Sequence, residues 1–324
     1  MAAQLPLNQA FIVSIWVEAV LYGFLAALTL ASVYVNVSLR QHQNAHSRIM
    51  FAVGLVMWGI ATAHIGVNCY RLVQGYVIHA GEPGGAEAWL GLLSSWSHIA
   101  KDVLLATQEI LGDAVAVYRT WILWNQDWRI LCPLTILLIA DAVSGYSVCA
   151  TYTQVTGVNI FDKKLESWIP AFYALSFAQS LLTTGLMAYR IWSSDRRSLK
   201  YRLNKQGLMP YLRILVESAA LQLILELIAL IFYAASMNAQ YVVTEMLTPA
   251  VGITFNAITI RIALRSSEAF MNMKSSSRPR ASEFAGPAQT IGGTTIPMRP
   301  ITISIRQDME TDGRSDGGDE RDQK

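Results

Sequence analysis

Apolar residues in this chain run in long uninterrupted blocks instead of alternating with period two or recurring with period 3.6. Blocks of about 18 or more such residues mark membrane-crossing helices. No charge lies between Glu18 and Arg40, none interrupts 49–70 or 168–189, and Asp141 alone interrupts 130–151. With their flanking apolar turns these blocks predict spans at about 10–39, 49–70, 130–151 and 168–192, and two more follow at about 211–234 and 241–264. A weaker segment, 96–124, contains Lys101, Asp102, Glu109, Asp113 and Arg119 and scores poorly for insertion.

The distribution of basic residues decides that segment. If 96–124 crosses, the stretches 40–48, 119–129, 190–213 and 261–280 share one side with 2, 2, 7 and 5 Lys or Arg, and the other side receives Arg71, Lys101, Lys163 and Lys164. If it does not cross, the most basic stretch lies opposite Arg40 and Arg48, against the tendency of short basic loops to stay cytoplasmic. The reading is an all-α membrane protein: a seven-transmembrane-helix bundle with the N-terminus outside and the C-terminus cytoplasmic. Residues 1–17 carry no charge, so the basic start of a cleavable signal peptide is missing and the first helix is expected to be retained.

Composition agrees. Hydrophobic residues make up 53% of the 324 and charged residues 15%, the latter well below the soluble average of about 25%. Of 48 charges, 18 fall in 265–324, where Ser, Thr, Gly and Pro also concentrate. The domains are therefore a transmembrane unit, 1–265, and a cytoplasmic tail, 266–324, expected to be disordered for want of apolar surface to bury. Three cysteines make no framework; Cys69 and Cys149 at neighbouring helix ends are expected to be separate thiols more than a pair. Pro249 should kink or start the last helix. The partners implied are the lipid bilayer, a small cationic ligand, and a cytoplasmic signalling partner at the basic stretch 193–213; no nucleic acid is implied and no cofactor is expected.

Ionisable groups inside a bilayer are costly and turn inward, so they are where function is sought. Asp102, Glu109 and Asp113 are spaced by seven and four residues, which sets them on one helical face. Glu18, Asp141, Glu226 and Glu245 lie at comparable depth, with His64, Asn68, Gln179 and Gln222 as neutral polar companions. The candidate ligand site is an acidic, outward-facing cavity formed by Glu18, His64, Asp102, Glu109, Asp113, Asp141, Gln179, Gln222 and Glu226. The competing explanation is that the carboxyls are protonated or hydrogen-bonded between helices and bind nothing. On the cytoplasmic side, Glu217 could pair with Arg119, Arg190 or Arg213 as a latch on the sixth segment, although simple snorkelling of the arginines explains the same pattern.

Enzyme signatures are missing. The five histidines all lie at or before His98, which leaves multi-histidine metal centres unsupported and no metal site expected; 241–260 has no lysine for a retinal Schiff base, and no G-x-S-x-G elbow occurs. Helix three has no Asp/Glu-Arg-Tyr string and helix seven no Asn-Pro-x-x-Tyr, so likeness to rhodopsin-type receptors is one of topology alone.

Certain strings do carry a resemblance. Gly112-Asp113 with Tyr118-Arg119, Trp121 and Trp124, then Arg190-Ile191-Trp192, then Glu217-Ser218-Ala219-Ala220-Leu221 make the chain over about 10–265 resemble a large group of seven-helix membrane proteins of basidiomycete fungi. The resemblance implies a seven-span fold and specifies no activity. The expectation is a non-enzymatic, integral multi-pass protein of the plasma membrane or an internal membrane, first a receptor-like sensor, alternatively a transporter or proton/cation-coupled carrier using the same carboxylates, and third a structural membrane protein without ligand.

Overall fold

The computed structural model describes residues 6–38, 45–154, 167–198 and 209–276. Among them the chain forms α1 (Leu7–Ser38), α2 (Ala45–Val73), α3 (Gly85–Leu90), α4 (Trp96–Leu123), α5 (Trp128–Tyr152), α6 (Trp168–Ser198), α7 (Met209–Ala234) and α8 (Gln240–Ser276), with a π-helical turn, Gln74–Ile78, prolonging α2. No strand occurs among the described residues. Six helices, all but α3 and α4, are long and apolar enough to cross a membrane, which suits an integral, multi-pass membrane protein. The 28 residues of α4 extend about 42 Å at 1.5 Å per residue, ample for a hydrocarbon layer of about 30 Å, but its five charged residues set it apart from the other six.

Burial explains why α4 tolerates those charges. In α1, α2, α5, α6 and α7 only 22–39% of the most apolar stretch is buried, whereas in α8 the share is 67%. The outer helices turn large apolar side chains such as Phe24, Leu30, Ile136 and Ile224 outward, a surface suited to lipid. The buried side chains of α4 include Lys101, Gln108, Glu109 and Asp113, so its charges point into the bundle. Helix α8 reaches five others. Tyr241 meets Phe11 of α1 at 5.0 Å between rings, Glu245 meets Asn68 of α2, Thr248 O accepts from Gln108 of α4, Thr244 meets Tyr173 of α6, and Thr254 donates to Ser218 O of α7.

Local chemistry fixes the ends of α4. Ser95 is extended at its N-cap and its hydroxyl accepts from the His98 amide. Asn125 and Gln126 adopt φ of 58° and 63°, which stops the helix, and Asp127 then caps α5 by accepting from the Arg129 amide at 3.0 Å. Close packing of α4 on α8 depends on Gly112, where an added Cβ would stand 2.5 Å from Val251 Cγ1. That methyl belongs to a stiff β-branched side chain. Gly112→Ala is therefore expected to destabilise the bundle by about 1–3 kcal/mol, read as a lower melting temperature in detergent. Unchanged melting would mean the two helices slide apart freely.

Two expectations need correction. The second span, expected to end at 70, runs on through α2 and the π turn to Ile78, and α3 follows, with its Leu90 filling the space left by Gly75. The stretch 266–276, taken as disordered tail, is helix, because α8 runs on to Ser276. The sequence there offers Glu268, Ala269, Met271, Met273 and Lys274 with no Pro or Gly until Pro279, so an established helix propagates. Residues 277–324 lie outside the described residues, as do 199–208 of the basic stretch. Pro249 falls inside α8, and so does Pro133 inside α5. All three cysteines are free, Cys149 buried and Cys69 exposed.

Candidate functional site

The sequence-predicted polar residues do not share one cavity. They divide into two groups at successive levels along α4. The first level joins α1, α2, α4 and α8 by paired charges. His64 Nδ1 lies 2.6 Å from Glu18 Oε1, and Asn68 Nδ2 donates both to Glu18 Oε2 at 2.7 Å and to Glu245 Oε2 at 2.6 Å. Lys101 Nζ donates to Glu245 Oε1 and to Asp102 Oδ1, each at 2.7 Å, and His98 Nε2 stands 3.6 Å from Asp102 Oδ2. Arg71 is also buried. Its guanidinium donates to Leu90 O at 2.8 Å and to the hydroxyls of Ser95 and Ser97 at 3.3 Å. Buried ions are tolerated when paired and hydrogen-bonded; Lys101, Asp102 and Glu245 meet that condition, while Arg71 is held by neutral oxygens.

The second level has a different character. Asp113 on α4 and Glu226 on α7 both accept from Ser180 Oγ of α6, at 3.2 and 3.0 Å. Gln222 Nε2 donates to Ser180 Oγ at 3.2 Å and to Glu226 Oε1 at 2.7 Å. Glu109 lies within electrostatic range of Glu226, Asp113 and Asp141. Both carboxyl oxygens of Glu109 and of Asp141, with Asp113 Oδ2 and Glu226 Oε2, are buried without a hydrogen-bond partner among the described residues. All four acids are no more than 1% exposed. Gln179 is equally buried, with its amide nitrogen donating to Leu134 O at 3.4 Å and its oxygen unpartnered. The first level therefore pairs carboxylates with Lys101, whereas at the second two carboxyls meet neutral donors and two meet no donor among the described residues.

Two cavities of about 50 Å³ lie in the bundle, one at each level. One is lined by Lys101, Asp102, Leu105 and Ala106 of α4 with Tyr152, Tyr173 and Tyr241. The other is lined by Gly112, Asp113, Ala116 and Arg119 of α4 with Ser180, Gln222 and Phe255. Along α4, Glu109 falls between the two sets. A space of that size admits a few water molecules or a small ion, far below the about 300–1,000 Å³ of a drug-sized ligand site.

The expected latch takes another form. Glu217 Oε2 faces Arg261 Nη1 of α8 at 3.7 Å, in place of Arg119, Arg190 or Arg213. Arg119 instead donates to Thr259 Oγ1 at 2.7 Å and stacks on Phe255, and Arg190 donates to Leu123 O at 3.3 Å over the Trp124 ring. The reason is that cation–π and carbonyl contacts on their own sides of the bundle hold both arginines. The Glu217–Arg261 pair is exposed at both ends, and such pairs contribute about 0–1 kcal/mol. A double-mutant cycle of Glu217→Gln and Arg261→Gln should return a coupling below about 1 kcal/mol in thermal unfolding. A larger coupling would restore the idea of a latch.

Sequence reasoning missed Ser180, which bridges Asp113 and Glu226, and undervalued Asn68 and Glu245. None of them belongs to the face spaced along α4, and their partners lie 46 to 177 residues away. It also expected no metal site, yet Glu18, His64 and Glu245 bring one donor atom each to within 4.8 Å of one another. Set against protein-family models, curated proteins and solved structures, the chain matches none of them.

Proposed function

We propose that the chain crosses the membrane seven times, with α4 as the additional crossing, N-terminus outside and C-terminus cytoplasmic, and that it handles protons or a small monovalent cation at Glu109, Asp113, Asp141 and Glu226. Membership of the basidiomycete seven-helix group belongs to this proposal. The observation that carries the reading is a level of four buried carboxyls, Asp113 and Glu226 held by Ser180 and Gln222 and Glu109 and Asp141 without a hydrogen-bond partner, with no cationic side chain hydrogen-bonded to any of them among the described residues. Four negative charges cannot coexist in a site of low dielectric, where like charges a few ångströms apart repel by several kcal/mol. Such a group holds protons or takes up a cation, and the cavity lined by Asp113, Ser180 and Gln222 suits water or an ion.

The receptor-like reading has its own support in the same residues. Ser180, Gln222, Glu226 and Asp113 tie α6, α7 and α4 together, so a change of charge there would alter how α7 packs. The small cavities favour an ion over an organic ligand, which moves the weight toward a carrier. Purified protein in sealed vesicles separates the two: dissipation of an imposed proton or sodium gradient supports the carrier, and a tight membrane with cation-dependent change in α7 supports the sensor. Neither result in wild-type protein would sink both.

The orientation has a separate test. Epitope tags at the two ends of the chain should be labelled from opposite faces of intact cells, N-terminal from outside. Both tags on one face would leave α4 out of the crossing count.

A further inference from the structure

We infer that Glu18, His64 and Glu245 form a binding site for a divalent transition-metal ion of the zinc class, separate from the four-carboxyl group. The inference does not depend on the proton or cation reading, because it uses other residues on other helices.

The geometry is that of a nearly assembled donor set. One donor atom from each of the three residues lies within 4.8 Å of the others. His64 Nε2 is buried, has no hydrogen-bond partner among the described residues, and faces Glu245 Oε2 at 3.5 Å. Zinc–nitrogen and zinc–oxygen bonds of about 2.0–2.2 Å place tetrahedral ligands about 3.4 Å apart, so that pair already has the required separation. Glu18 sits on the Nδ1 side of the ring, and it supplies the third donor by leaving that contact and turning toward the Nε2 side.

The surroundings are those of a supported metal site. The amide of Asn68 donates to one oxygen of Glu18 and one of Glu245, which fixes how the two carboxylates face each other. Lys101 holds the remaining oxygen of Glu245. Counting Glu18, Asp102 and Glu245 against Lys101 and Arg71 leaves one negative charge in excess, as a cation site requires. An imidazole with carboxylates suits zinc and its first-row neighbours, whereas calcium and magnesium prefer oxygen alone. Three protein donors from α1, α2 and α8 leave a fourth position for water. No histidine triad and no local spacing motif announces this set, since its members lie 46 and 181 positions apart along the chain.

The test uses the full chain purified in detergent with a tag free of histidine, stripped by chelator and then titrated with zinc. The expected result is one equivalent retained after desalting, with a zinc K-edge absorption spectrum showing one imidazole and carboxylate oxygens. His64→Ala and Glu245→Gln should abolish retention, and Asn68→Leu should weaken affinity by about 10–100-fold, the usual effect of losing a residue that orients ligands. Asp113→Asn and the pair His42→Ala with His46→Ala should leave retention intact. Absence of stoichiometric zinc in the unsubstituted chain overturns the proposal, as does a spectrum with two or more imidazoles. Loss of zinc in Asp113→Asn, or in the His42/His46 variant, would move the site elsewhere and overturn it too. The spectrum of the unsubstituted protein decides the matter even where a variant fails to fold.

Discussion

Lys101→Met is expected to be the most damaging single substitution in the bundle. The ammonium is 3% exposed and lies 2.7 Å from both Glu245 and Asp102, on α8 and α4. Methionine fills much the same volume, so the loss is one of charge compensation and not of packing. Removing one partner from a buried pair strands the other, at a cost of about 3–5 kcal/mol. Here two carboxylates lose their shared cation, and the remaining positive charge nearby, on Arg71, is committed to Leu90 O, Ser95 and Ser97. The check is thermal unfolding in detergent together with yield of monodisperse protein. The triple replacement Lys101→Met, Asp102→Asn, Glu245→Gln should recover most of the loss, because exchanging a complete ionic group for neutral residues is often near neutral. Poor recovery would show that the ions also specify the packing of α8.

The second large effect is the one on flux that the proposed carrier function entails. Asp113→Asn and Glu109→Gln should each reduce gradient-driven flux in vesicles by roughly 10²-fold or more, the scale on which positioned proton-transfer groups act. Asp113 is the informative choice, since it lines a cavity and shares Ser180 with Glu226. The amide keeps the shape and can still accept from Ser180, so folding should be preserved or slightly improved as repulsion among like charges falls. Melting temperature therefore moves in the opposite direction from flux, which distinguishes a working group from a structural one. Equal flux in wild type and both variants would remove the carboxyl group from the mechanism.

How much of this was legible in the sequence follows from the range of each interaction. Helices such as α5 and α6 announce themselves because a stretch near the length of a bilayer with at most one charge is a local property, and their ends shift by no more than six residues. The inward turn of Asp102, Glu109 and Asp113 was equally legible, because spacing along one helix fixes a face. What could not be read was which carboxyls meet. Asp102 and Glu109 share that face, yet the first pairs with Lys101 while the second lies near Asp141 and Glu226. Only the relative depth and rotation of α5, α7 and α8 decides this, and no periodicity encodes it. The Glu217 pairing went astray for the same reason: Arg261 and Arg119 are equivalent candidates until α8 is placed.

The central position of α8 has a consequence for biogenesis. Among the described helices it is the last to leave the ribosome, yet it supplies Glu245 for Lys101, Thr248 O for Gln108 and Thr259 for Arg119. Until α8 arrives, Lys101, Gln108 and Arg119 of α4 lack these partners, and a helix of that composition partitions poorly into lipid. On the proposed seven-span topology, insertion of α4 and closure of the assembly are a late, joint event, and ribosome-stalled chains ending before Gln240 should hold α4 accessible to aqueous thiol reagents that are excluded once α8 is in place.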